Sequence, residues 1–321
     1  MNNIAKRVIC IGGGHCNCQV LKLLKKLIEE QEEGQPKISV TLVSDAEKSY
    51  YSGMLPGSVS TLYKDEDIMV QLEPLAKWCH ADFVKSKVTK IEGNKNIIHL
   101  ENGETLPYDV LAVNVGSKTM GAEKVAGVWE HSLTTRPIND LLPKITKKEN
   151  DLKAAGIIPT VVVCGAGAAG TELAFAFKAR WSKFFKEEIK VTLVGTKDRP
   201  VPEQVEVTRK QIIRKLQEKN ITYIGDKHVK EVTAGGVTFT DGTSLECTVP
   251  IWATGADPQG VSAESDLDLL KGYFRVNNFL QSTSHPNVFA GGDCIEMESY
   301  VDKPYPTKAG VYAVREGPFI A

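Results

Sequence analysis

The residues of this chain best suited to chemistry are glycines. Ile9-Cys10-Ile11-Gly12-Gly13-Gly14 near the start and Val163-Cys164-Gly165-Ala166-Gly167-Ala168-Ala169-Gly170 in the middle each set a glycine turn between an apolar run and a helix-like pattern. Such a turn leaves the first N–H groups of the helix unpaired and points the positive end of its dipole at whatever sits there, so each can seat a dinucleotide pyrophosphate. A third segment, Val288-Phe289-Ala290-Gly291-Gly292-Asp293, lies far downstream. Two seats imply two dinucleotides, and therefore electron transfer between them.

The two turns are not equivalent. The second is complete at Gly165, Gly167 and Gly170, whereas the first has Gly12 and Gly14 but carries Asn17 where a third glycine allows close helix packing. The acid expected at the end of the next strand, where it would bind a ribose, is Ser44 after the first turn, with Asp45 one place later. After the second turn that place is Gly195, followed by Lys197 and Arg199. Without a carboxylate to hold a free 2′-hydroxyl, the second seat leans to NADPH, whose phosphate Lys197 and Arg199 could pair. The alternative is that both are ordinary loop charges.

The elements around the turns repeat. From Arg7 to Val43 the pattern is strand, glycine turn, a helix carrying Val20, Leu21, Leu24 and Ile28, and strand Ile38 to Val43. The same order recurs with strand Thr160 to Cys164, helix Glu172 to Lys183 and strand Lys190 to Val194. Short strands Phe83 to Val88, Ile97 to Leu100 and Leu111 to Val115 read as a β meander after the first unit, and Asp241-Gly242-Thr243 is the turn of a second meander. The charged stretch Thr146 to Lys153 reads as a helix end and linker, and Ser49 to Gly57 as a loop too rich in Gly and Pro for a helix interior.

Composition narrows the class. A length of 321 residues suits roughly two domains at about 150 residues each. A formal net charge of -1 gives no electrostatic argument for nucleic acid. No apolar run approaches the roughly 18 residues needed to span a bilayer, and the first strand begins too soon for a cleavable signal, so no transmembrane segment and a cytoplasmic location are expected. Seven cysteines without a Cys-x-x-Cys pair suit reduced thiols, and no metal site is read from the spacing. Cys16 and Cys18, at a helix N-terminus, are either buried small residues or redox thiols.

Gly12-Gly13-Gly14-His15, Tyr51-Ser52-Gly53-Met54-Leu55-Pro56-Gly57 and Ala309-Gly310-Val311-Tyr312-Ala313-Val314-Arg315 together resemble the FAD-dependent pyridine nucleotide-disulfide oxidoreductase family. Within it the resemblance is closest to type II NADH dehydrogenases and to the NADH-dehydrogenase-like domain fused to selenide, water dikinase. It implies an α/β fold of two Rossmann-like three-layer (ββα) dinucleotide-binding domains, the second inserted in the first. Residues 1–116 would begin the FAD-binding domain, 117–256 form the NAD(P)H-binding domain, and 257–321 complete the FAD-binding domain, shortened relative to the family.

In the family the first turn binds FAD and the second NAD(P)H; the cofactor-binding residues expected here are Gly12, Gly13, Gly14, His15, Ser44, Leu55, Pro56, Val88, Gly116, Gly165, Gly167, Gly170, Gly195, Lys197, Arg199, Gly255, Gly292, Asp293 and Ala309. Asn114-Val115-Gly116 and Ala253-Thr254-Gly255 resemble the domain-crossing turns, and Asp293 the aspartate that holds the ribityl chain. The helix after that aspartate would aim its N-terminus at the flavin, where a positive end stabilises the reduced anion. Glu172 and Lys308 are the catalytic candidates: Glu172 near the nicotinamide, or simply an acid satisfying a helix dipole, and Lys308 beside the flavin ring. His15 reads as a packing or hydrogen-bonding residue.

The loop at Tyr51 lacks the cysteine pair of the family's disulfide reductases. The activity implied is an FAD-dependent NAD(P)H oxidoreductase that passes electrons to a quinone or other small acceptor without a redox-active disulfide. The alternative is a catalytically weak flavin-bearing scaffold or regulatory subunit, favoured by Asn17, Ser44 and the short C-terminus. A homodimer or association with another subunit fits either reading.

Overall fold

The computed structural model describes residues 6–32, 35, 37–302 and 308–321. Strand Lys6–Ile11 becomes continuously buried from Ile9 onward, the pattern of a central parallel strand covered on both faces. It pairs in parallel with Ile38–Ser44 on one side and Val110–Val113 on the other. From edge to edge the sheet runs Val288–Ala290, Val110–Val113, Lys6–Ile11, Ile38–Ser44, Ala81–Lys85, all parallel. The strand order reverses at Lys6–Ile11, so the glycine turn that follows opens at a topological switch point, where α/β sheets bind ligands.

Alternation along that strand divides its two faces. Cys10 packs with Val20, Leu21 and Leu24 of helix His15–Glu29, while Ile9 and Ile11 face a core with Ile91, Ile98, Tyr108 and Phe274. The antiparallel strands Val88–Glu92, Ile97–Leu100 and Thr105–Pro107 line this second core. Helix, parallel sheet and antiparallel sheet are thus the three layers.

A second sheet repeats the plan in the order Leu133–Thr134, Val249–Trp252, Thr160–Cys164, Lys190–Val194, Ile221–Ile224, again all parallel. Thr160–Cys164 is its switch strand, and helix Ala168–Phe185 follows the second glycine turn. Antiparallel strands Val229–Thr233, Gly236–Phe239 and Ser244–Glu246 supply the outer layer. The chain falls into two compact units, one of Met1–Gly53, Met69–Ser117 and Pro258–Ala321, the other of Met54–Ile68 and Lys118–Asp257.

Three local expectations need correction. The strands around Phe83 and Leu111 belong to the parallel sheet, and only the chain between them forms the meander, because their apolar runs are covered on both faces. Thr146 to Lys153 lies inside helix Ile138–Ala154. Its charges pair along the helix, Lys147 with Asp151 at 2.7 Å, and Glu149 turns inward to Arg180 (2.5 and 2.9 Å) and the Trp181 indole (2.8 Å), so the stretch is not a solvated linker. Within Ser49 to Gly57, Leu55–Val59 is a short helix, since Pro56 sits in its first turn, where proline costs no hydrogen bond.

Candidate functional site

In the first unit, three segments far apart in the sequence meet at Asn114. Gly12 has φ +83°, and a Cβ on it would lie 2.4 Å from the Asn114 carbonyl oxygen; a Cβ on Gly14 would lie 2.0 Å from Asn114 Oδ1. The buried Asn114 amide works as a clamp: Oδ1 accepts from the Cys16 N–H at 3.1 Å and Nδ2 donates to the Gly291 carbonyl at 2.6 Å. The glycine turn, the end of strand Val110–Val113 and the Gly291-Gly292-Asp293 turn are thereby held together. Ser117 donates to Asp293 Oδ2 at 3.2 Å.

Asn17, expected to loosen the turn, closes it. Its buried Nδ2 donates to the carbonyls of Ile11 (2.9 Å), Gly12 (2.9 Å) and Ala112 (3.3 Å), so the amide ties the helix to two neighbouring strands. Beside the turn, the His15 ring lies 4.9 Å from the Tyr51 ring at 55°, and Tyr51 and Ser52 pack against Gly310 at the start of helix Gly310–Ile320. Ala309 is that helix's N-cap. Burial holds the His15 imidazole below its ordinary pKa, which keeps it neutral. The helix does not follow Asp293 directly; strand Ile295–Met297 comes between.

Glu316 was not singled out from the sequence, yet its Oε2 accepts the Gly292 N–H at 2.5 Å from the last helix. Burial pushes its carboxyl up, opposed by that hydrogen bond and by Lys308. The Lys308 ammonium is engaged: it lies 3.2 Å from Glu296 Oε1, donates to the Ile295 carbonyl, and stands 4.1 Å from the Tyr273 ring centre. Burial lowers its pKa while Glu296 resists the change. Ser44 is buried at the end of its strand, with Oγ accepting from the Ala46 N–H at 3.3 Å, and Val88 is a core residue paired with Leu100. Leu55 and Pro56 belong to the second unit.

The second turn is closed by backbone. A Cβ on Gly170 would lie 1.8 Å from the Gly165 carbonyl oxygen, and Gly165 itself has φ +113°. Gly167 is different: a Cβ there would meet nothing within 4 Å, leaving the face a pyrophosphate would approach open. Glu172 follows in helix Ala168–Phe185 with an exposed side chain whose carboxyl is raised by partial desolvation. The crossing segments pair antiparallel, Lys118 with Asp257 and Thr119 with Ala256, and Gly255, which follows on from the pairing by accepting from the Met120 N–H at 3.2 Å, has φ +90°. Gly116 has φ +67° with open space beside it. The second turn thus joins crowding that only glycine allows, at Gly165 and Gly170, to open space at Gly167, whereas all three glycines of the first turn are crowded, Gly13 by the Leu72 side chain at 2.1 Å from a Cβ placed there.

The thiols behave as core residues. Burial pushes Cys10, Cys18 and Cys294 up to about 12 and Cys16 higher still, the reverse of what a reactive thiol needs. All seven cysteines are free.

Comparison with known proteins agrees with the architecture. The curated type II NADH:quinone oxidoreductase of Staphylococcus aureus is 24% identical over 342 residues, covering 98% of this chain and 81% of that one. Among solved structures, reduced CoADR-RHD of Bacillus anthracis superposes with a TM-score of 0.81 at 23% identity; 98% of this chain is covered but only 56% of that one. The water-forming NADH oxidase of Lactobacillus brevis, solved with NADH, gives a TM-score of 0.80 at 19% identity, covering 98% of this chain and 68% of that one. These solved structures establish the fold. The family model for pyridine nucleotide-disulphide oxidoreductases matches residues 6–317, and the chain belongs to that family of FAD-dependent NAD(P)H oxidoreductases.

Proposed function

We propose that this chain binds FAD at the Gly12–Gly14 turn and NAD(P)H at the Gly165–Gly170 turn, and delivers the electrons to a quinone or another small acceptor without a dithiol relay. The observation that carries the reading is the duplicated parallel sheet with a glycine turn at each switch point. When bound, FAD supplies the exchange between a two-electron hydride donor and a separate acceptor. The protein's own share is to hold and to shield. Asn114 and Asn17 fix the first seat, Asp293 would hold the ribityl chain, and the His15 and Tyr51 rings pack beside the turn.

Two observations support the absence of a dithiol relay. The Tyr51 loop has no cysteine, and the thiols near the first turn are raised rather than depressed. A quinone acceptor is supported by the name of the Staphylococcus aureus relative. Asn17, which from sequence spoke for a weak scaffold, instead secures the turn. Among the described residues no helix is long and apolar enough to cross a membrane; the proposal places the chain in the cytoplasm, where seven free thiols stay reduced.

The test is steady-state reduction of a soluble quinone analogue by the purified, FAD-loaded chain. Turnover that persists after Cys16 and Cys18 are both exchanged for serine is expected. Turnover lost in that variant while flavin stays bound would contradict the thiol-free route.

A further inference from the structure

The place at the end of strand Lys190–Val194 that would carry a ribose-binding acid is not merely vacated by Gly195; it is filled by another side chain. A Cβ on Gly195 would lie 2.6 Å from Tyr223 Oη and 2.8 Å from the Ala166 Cβ, so no carboxylate can be mounted there while Tyr223 stands. The Tyr223 hydroxyl donates to the Lys197 carbonyl at 2.7 Å, and the Asp226 N–H donates to the same oxygen at 3.1 Å.

The rest of the loop is tied just as closely. Gly195 donates to the Ile224 carbonyl (3.0 Å) and accepts from the Lys227 N–H (3.0 Å), and the Val201 N–H donates to the Ala166 carbonyl of the glycine turn (2.8 Å). Thr196 to Arg199 therefore form a short exposed arch between two buried anchors, Gly195 and Pro200, with a neutral phenol beneath it. Burial, with Asp226 and Asp198 nearby, pushes that phenol up to about 12.

Resting on the reading of this turn as the NAD(P)H seat, we infer that its adenosine end accepts a 2′-phosphate, so that NADPH is bound in preference to NADH, with Tyr223 and Gly195 as specificity-determining residues and Lys197 and Arg199 as the phosphate's partners. The phenol removes the negative charge that would repel the phosphate. The arch offers two exposed cations within two residues of each other. Asp198 and Asp226 are the opposing charges. Arg199 meets Asp198 only at 3.7 Å and both side chains are more than half exposed, an ion pair weak enough for a phosphate dianion to displace. Lys227, the other nearby cation, is held by Asp241 at 2.5 Å.

The test reads the adenosine end alone. Calorimetric titration of the full FAD-loaded chain with 2′,5′-ADP and with 5′-AMP should show the former binding about tenfold tighter at low salt, with the advantage shrinking as salt is added. Exchanging both Lys197 and Arg199 for alanine, on an exposed arch where folding is not at risk, should bring the ratio close to one. A 5′-AMP affinity equal to or above that of 2′,5′-ADP overturns the inference, as does a ratio that survives in the double variant or a failure of both ligands to bind. Because neither probe carries a nicotinamide, phosphate-dependent binding together with a flavin that no donor reduces would count against the proposed redox function and leave this inference supported.

Discussion

In the second glycine turn backbone meets backbone: Gly170 brings its Cα within reach of the Gly165 carbonyl, leaving no room for a side chain. In the first turn the corresponding place belongs to Asn17, whose amide donates to one carbonyl on each of two neighbouring strands and to the Gly12 carbonyl of the turn, while Asn114 clamps the turn to the Gly291 segment. One seat is closed by the absence of a side chain and the other by the hydrogen bonds of one. The third glycine of the motif is thus one solution to a packing problem, and a buried amide is another when the exposed carbonyls lie in reach.

The comparison breaks hardest at the glycines. Gly12→Ala forces a side chain onto a φ of +83° and into the Asn114 carbonyl, adding about 1–3 kcal/mol of backbone strain to a similar overpacking cost, and should yield a chain without flavin colour. Gly170→Ala carries about 1–3 kcal/mol of overpacking and should give a yellow protein that no longer binds 2′,5′-ADP in calorimetry.

Asn17→Gly is the sharper test, because it restores the family's pattern while deleting the amide. It should lower unfolding free energy in urea by about 1–3 kcal/mol and raise the FAD dissociation constant; a gain in stability would mean that the amide is incidental. Asn114→Ala, which removes the acceptor of the Cys16 N–H and leaves the Gly291 carbonyl only the Cys294 thiol as donor, should cost about 1–2 kcal/mol in the same assay.

The smallest effect concerns Glu316. Its folded-state pKa is raised by burial, so the folded protein holds the proton more tightly than the unfolded chain. Stability from this group therefore declines as pH rises from the ordinary carboxylate range through the raised value. Thermal melts of Glu316→Gln across the acid-to-neutral range should decline less steeply than those of the parent.

The sheets were legible because their strands are long apolar runs next to glycine turns, and the periodicity of helix His15–Glu29 marks its core face at Val20, Leu21 and Leu24. What escaped the sequence was tertiary. The charged run at Thr146 to Lys153 reads as solvent-facing until Arg180, some thirty residues on, is placed against Glu149. Asn17 reads as a defect because its acceptors include Ala112, which only the sheet brings beside it. Tyr223 carries no local signal: its hydroxyl matters only because neighbouring parallel strands set it under Gly195. Glu316 likewise becomes informative once the last helix packs against Gly292.

The central claim, two dinucleotide seats in one electron-transferring chain, is tested most directly by recording the visible spectrum of the purified protein and then adding NADPH or NADH without oxygen. The account predicts a yellow protein whose flavin absorbance bleaches on addition of the donor, and a Gly170→Ala variant that stays yellow. Bound flavin that remains oxidised with both donors would contradict it.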